Sequence, residues 1–67
     1  MLRQLSKART MRAARGRLGM TQLDLAQRVR CSESQIAKIE TGRATPVDWL
    51  KEAIAQELGI QTWEVGV

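Results

Sequence analysis

The stretch Thr21 to Gly42, TQLDLAQRVRCSESQIAKIETG, decides the fold, because it reads as two short amphipathic helices that meet at a tight turn. In its first half Leu25, Ala26 and Val29 fall on one helical face. In its second half Ile36 and Ile39 repeat at a spacing of three, with Glu40 beside them. Each half carries its own start signal. Thr21 with Asp24, and Ser32 with Gln35, fit the capping box, in which a hydroxyl accepts from the N3 amide while the N3 side chain reaches back to the N-cap amide. The segment between Val29 and Ser32 must therefore be a turn.

On the N-terminal side, Leu5, Ala8, Met11, Ala14 and Leu18 follow helical spacing, which predicts a first helix from about Leu2 to Leu18 whose apolar side covers the core. Gly19 breaks it before Thr21 caps the second helix, Gln22 to Val29. The third helix is expected over Glu33 to Thr41, with Gly42 suited to the left-handed position just past its end. After a short loop at Arg43 and Ala44, Thr45 is expected to cap a fourth helix. Pro46 would occupy the first position and Asp48 the first turn, the helix running to Leu58 and stopping at Gly59. Leu50, Ala53, Ile54 and Leu58 form its inward stripe. The tail carries Ile60, Trp63, Val65 and Val67, more apolar surface than a free terminus should show, and a short helical turn is expected from Thr62. The whole of residues 1–67 reads as one domain, an all-α compact bundle of four to five helices, near the size at which a single core only just suffices.

Composition narrows the function classes. The chain has no histidine, and its one cysteine allows no internal disulfide and no metal-ligand cluster. No Ser, Cys or Lys has an activating partner evident in the sequence, so catalysis is not expected, and neither is a cofactor. Gly16 and Gly19 lack the strand and lysine spacing of a phosphate-binding loop. No apolar run is long enough to span a membrane, and a reducing, cytoplasmic setting fits. An Arg-rich, acid-poor N-terminus also resembles an organelle presequence, but its removal would delete the first helix.

The net charge is +4, and its distribution is uneven. Residues 1–30 hold eight bases (Arg3, Lys7, Arg9, Arg12, Arg15, Arg17, Arg28, Arg30) against Asp24 alone. The remainder holds three bases, Lys38, Arg43 and Lys51, against six acids. The two parts carry +7 and −3, so one face is expected to be cationic and to meet a polyanion; the alternative is a plain solvated helix surface.

Thr21-Gln22, Leu25-Ala26, Val29, Ser32, Ile36, Ile39-Glu40 and Gly42 together resemble the helix-turn-helix of the lambda-repressor and Cro-like DNA-binding family, with weaker similarity from about Met11 to Val65. The resemblance implies a lambda-repressor-like bundle and a sequence-specific transcription regulator, a repressor of the Cro type, bound to double-stranded DNA with its third helix in the major groove. It places Glu33, Ser34 and Lys38 towards base edges, with Gln35 a further candidate. Glu33 would accept from a cytosine amine, Lys38 donate to guanine and Gln35 pair with adenine. The competing role for Ser34 and Gln35 is capping or exposure to water. Gln22, Arg43 and Thr45 are expected at phosphates, Thr45 only if capping leaves its hydroxyl unused. Arg9, Arg12 and Arg17 would add long-range attraction, while Arg28 and Arg30 flank the turn. Arg15 and Glu40 match family positions that form an ion pair joining the first helix to the third. Cys31, at a position usually apolar in the family, reads as a small buried residue. One departure stands out: the family often has glycine where this chain has Arg30, at a point where the turn can need a left-handed residue.

A single small domain reads few bases, so a homodimer on a two-fold symmetric site is expected, with Ile60, Trp63 and Val65 as its interface unless the tail packs onto its own core. No small-molecule ligand is expected. Two other readings use the same fold: an antitoxin-like or anti-activator protein that binds a protein partner, and a nonspecific nucleic-acid binder driven by the basic first helix.

Overall fold

The computed structural model describes residues 10–66, and among these the chain forms four α-helices, one 3-10 turn and no strand. Helix α1 spans Met11–Arg17, α2 Gln22–Val29, α3 Glu33–Glu40 and α4 Asp48–Leu58; the 3-10 turn is Thr62–Glu64. The expected long first helix is corrected. Thr10 is extended (φ −72°, ψ 154°) and its hydroxyl accepts from the Ala13 amide at 3.0 Å, so the helix starts at Met11. A capping threonine with β-region dihedrals cannot lie inside a helix. The earlier part of the predicted helix, including Leu5, Ala8 and the basic Arg3, Lys7 and Arg9, lies outside the described residues, as does Val67.

The core collects one face of every helix. Met11 and Ala14 of α1, Leu25, Ala26 and Val29 of α2, Ile36 and Ile39 of α3, and Leu50, Ile54, Ala55 and Leu58 of α4 are all buried. Helix α2 packs against both α3 and α4, and α1 closes over α4. Leu18, predicted to extend the α1 stripe, is instead 52 % exposed, because the helix has ended at Arg17 and Leu18 is its C-cap.

The start of α4 also differs from expectation. Thr45 does not cap it and Pro46 is not its first residue: Val47 is the N-cap (ψ 162°), its carbonyl accepting from the Lys51 amide at 2.9 Å. Pro46 is buried, and the Arg43 and Ala44 amides both donate to the Lys38 carbonyl, at 2.8 and 3.2 Å. The chain is thus held against the end of α3 and reaches the core extended, and the helix begins only after the proline ring is seated. The Thr45 hydroxyl, on an exposed residue, is consequently not used for capping.

The tail divides. Val65 is 8 % exposed and joins the core, Ile60 packs partly buried against it, and Trp63 stands 73 % exposed. Of the two expectations for the tail, a dimer interface or packing onto its own core, Val65 and Ile60 follow the second: the 3-10 turn folds back on α4 and leaves the Trp63 ring in water.

Candidate nucleic-acid interface

The turn between α2 and α3 is built on a residue in the left-handed region. Arg30 has φ 63° and ψ 47° and is the C-cap of α2, its amide donating to the Ala26 carbonyl; the Cys31 amide donates to the same oxygen at 2.9 Å. Every other described residue with positive φ is a glycine. A side chain there costs about 1 kcal/mol or more relative to glycine. The departure from glycine seen in the sequence therefore leaves the geometry intact and adds strain.

Of the two capping boxes expected from the sequence, the one at Thr21 and Asp24 forms in full, while at Ser32 the Gln35 side chain makes no bond back to the Ser32 amide. The Thr21 hydroxyl accepts from the Asp24 amide at 3.0 Å, and the Thr21 amide donates to the Asp24 carboxylate at 3.0 Å. Hydrogen bonding to Thr21, above all from its backbone amide, holds the Asp24 carboxyl below its ordinary value. At α3 the Ser32 hydroxyl accepts from the Gln35 amide at 3.0 Å. Cys31 is half-buried against the core, its thiol donating to the Ser32 carbonyl at 3.6 Å, and burial pushes that thiol up from its ordinary value.

Helix α3 has two faces of opposite character. Ile36 and Ile39 are fully buried, whereas Glu33, Ser34 and Lys38 are exposed and Gln35 is half-buried. Ser34 and Lys38 are four residues apart and share one side of the helix. The exposed side is thus presented by a helix whose other side is fixed in the core.

A polar cluster locks α3 to α1 and to the start of α2. Arg15 donates from Nε to Glu40 Oε2 at 2.6 Å and from Nη2 to Oε1 at 3.1 Å, while its Nη1 donates to the Met20 carbonyl at 2.9 Å. The two side chains are only 13 % and 5 % exposed. Gln22, the first residue of α2, donates from Nε2 to Glu40 Oε1 at 3.0 Å. One carboxylate therefore receives three donors, and burial of the pair is compensated by hydrogen bonds on both partners. The sequence alone did not point to the bonds from Gln22 to Glu40 or from Arg15 to Met20, because residues 18 apart in different helices carry no common periodicity. The same holds for Arg28, which meets Glu57 of α4 at 3.6 Å.

Above this cluster opens a groove of about 520 Å³, bordered by α1, the start of α2 and both ends of α3. Arg12, Thr21, Gln22, Glu33, Glu40 and Thr41 are among the residues that line it. Arg43 and Thr45, both exposed, follow α3 in the loop to α4. The residues assigned to bases and phosphates thus lie on α3, at the start of α2 and in the loop after α3. Among the described residues no group of three or more His, Cys, Asp or Glu is placed to hold a metal ion, and no helix is long and apolar enough to cross a membrane. A family model described as a helix-turn-helix domain matches residues 8–63. Comparison with curated proteins and with solved structures gives no match.

Proposed function

From the premise that this chain belongs to the helix-turn-helix domain family, we propose that it is a sequence-specific transcription regulator of the Cro and repressor type that places α3 in the major groove of double-stranded DNA. The observation that carries this reading is the two-faced α3: Ile36 and Ile39 are fixed in the core, and Glu33, Ser34 and Lys38 stand free on the surface. Lys38 donates to guanine, Ser34 and Gln35 contact neighbouring bases, and Glu33 accepts from an exocyclic amine. Gln22 uses one Nε2 hydrogen on Glu40 and offers the other to a phosphate, as Arg43 and Thr45 do from the loop after α3. No catalytic step, cofactor or small ligand has a part in this mechanism. The regulator works in the cytoplasm.

It binds as a homodimer, since one domain of this size reads too few base pairs for useful selectivity. With Val65 in the core and Ile60 against it, the interface is centred on Trp63, and Trp49, 59 % exposed at the start of α4, is the other large aromatic surface available. The same exposed tryptophans favour the second reading, a protein that meets a partner protein through this fold.

An anisotropy titration against duplex DNA from immediately upstream of its own coding sequence, with scrambled competitor and at two salt concentrations, tests the proposal. Binding that survives competitor and weakens in Lys38→Ala and Gln22→Ala supports it. Equal affinity for both DNAs replaces it with nonspecific binding, and no binding at either salt turns the search to a protein partner.

A further inference from the structure

Two charged side chains that line the groove, Arg12 and Glu33, form no ion pair with another described residue. Arg12 is exposed on α1, three residues before Arg15 and so on the same side of the helix, yet it forms no ion pair with any other described residue. Glu33, exposed at the first position of α3, is likewise unpaired among the described residues, and it lines the same groove. Arg15 and Glu40, which also border the groove, neutralise each other. Among the described residues that line the groove, the Arg12 guanidinium and the Glu33 carboxylate are thus the charges without an ion-pair partner.

An occupant that satisfies both must present an anion and a hydrogen-bond donor within one short span. A nucleotide in a duplex does so when its own base presents an exocyclic amine in the major groove, as cytosine N4 and adenine N6 do. A guanidinium is suited to phosphate oxygens, which it can bind in two-pronged fashion. A carboxylate accepts from the amine and is repelled both by phosphates and by the acceptor edges of guanine and thymine. We propose that this groove seats one backbone phosphate on Arg12 and that Glu33, which lines the same groove, restricts the base beside that phosphate to cytosine or adenine, whose amines face the major groove. Arg12 is then an affinity contact and Glu33 a specificity filter, two roles that separate experimentally. This assignment rests on the DNA-binding reading above.

The test uses the full chain and a randomised duplex pool from which the wild-type protein enriches its preferred site. Arg12→Ala lowers affinity for enriched and scrambled duplexes alike and reduces the slope of log K against log salt by about one, with the base preference unchanged. Arg12→Lys restores most of that slope. Glu33→Gln tightens binding to scrambled duplex and flattens the preference at one base pair by roughly fivefold or more, with the slope kept. The inference is overturned if Arg12→Ala leaves the slope unchanged, or if Glu33→Gln leaves every base preference intact, in a protein whose wild type does enrich a site. If the wild type enriches no sequence, the DNA-binding reading fails and takes this assignment with it. Arg12 and Glu33 are both on the surface, so circular dichroism melts equal to the parent's verify that each variant is folded.

Discussion

Arg15 and Glu40 face each other across 25 residues of chain, two guanidinium nitrogens donating to the two carboxylate oxygens at 2.6 and 3.1 Å. The pair joins α1 to the end of α3, and its third donor, from Gln22, ties in the start of α2. Removing the carboxylate leaves a nearly buried guanidinium with only the Met20 carbonyl. Glu40→Ala is therefore expected to cost about 3 kcal/mol, which for a domain of this size lowers the melting temperature by roughly 12 °C or more. The double variant Arg15→Met with Glu40→Leu recovers much of that loss, because apolar side chains of similar volume carry no desolvation cost. Thermal melts followed by circular dichroism decide it. A Glu40→Ala protein that melts with the parent would show that the pair sets orientation only.

Arg30 makes the opposite case, a residue at which the native side chain destabilises. With φ at 63°, replacement by glycine relieves steric strain, although glycine also adds freedom to the unfolded chain and removes a cation from the C-terminus of α2. The relief is the larger effect, so Arg30→Gly raises stability by about 0.5 to 1 kcal/mol. Arg30→Val, branched at Cβ in a left-handed conformation, lowers it. Urea denaturation of the three proteins gives the order directly, and a glycine variant no more stable than the parent would mean that the arginine side chain offsets its own strain.

Much of this architecture was legible in the sequence because it is local. The capping bonds of Thr21 and Ser32, the left-handed Gly42 and Gly59, and the inward faces of α2, α3 and α4 all follow from residues within one or two turns of each other. The expectations that required correction depended on tertiary choice. Apolar spacing continued through Thr10, but a threonine can cap the start of a helix by accepting from the amide three residues on, and the spacing does not register that. The Thr45-Pro46-Asp48 pattern is a sound helix start, overridden because burying Pro46 takes the proline out of the helix. In the site, helix periodicity made legible which side of α3 is buried, through Ile36 and Ile39, and that Lys38 lies on the other. The joint attachment of Arg15 and Gln22 to Glu40 was not, since it depends on how three helices cross. Nor did the tail's pattern distinguish Val65, which is buried, from Trp63, which is not.

Asp24 supplies a pH dependence that can be isolated. Its carboxylate accepts from the Thr21 amide, and its pKa lies below the ordinary 3.8. A group whose pKa is lowered on folding contributes stability above its unfolded pKa and loses it as pH falls through the folded value. The contribution is thus complete at neutral pH and fades below about pH 4. Asp24→Asn keeps an acceptor oxygen but no titrating group. Melting temperatures of the parent and of this variant, measured from pH 6 down to pH 3, are expected to converge as the pH drops. Parallel curves would mean that the capping carboxylate is energetically silent.

Trp63 provides the test of assembly. Among the described residues it is the most exposed of the large apolar side chains, at 73 %, while its neighbours Ile60 and Val65 already serve the chain's own core. At 73 % exposure most of the Trp63 ring faces water in a monomer, and aromatic rings concentrate binding energy at the centre of protein interfaces. Trp63→Glu is expected to yield monomers without altering the fold, since the ring makes little contribution to the core. Sedimentation equilibrium across a tenfold concentration range measures the shift, and the melting temperature at low concentration, where the parent is also monomeric, should stay within a few degrees. A Trp63→Glu protein that remains dimeric moves the interface to another surface, with Trp49 the next side chain to change. If the parent is itself monomeric at every concentration, dimerisation takes place on DNA or not at all, and the half-site spacing of the enriched duplex then separates those two cases, because a dimer on DNA places its half-sites about one helical turn apart.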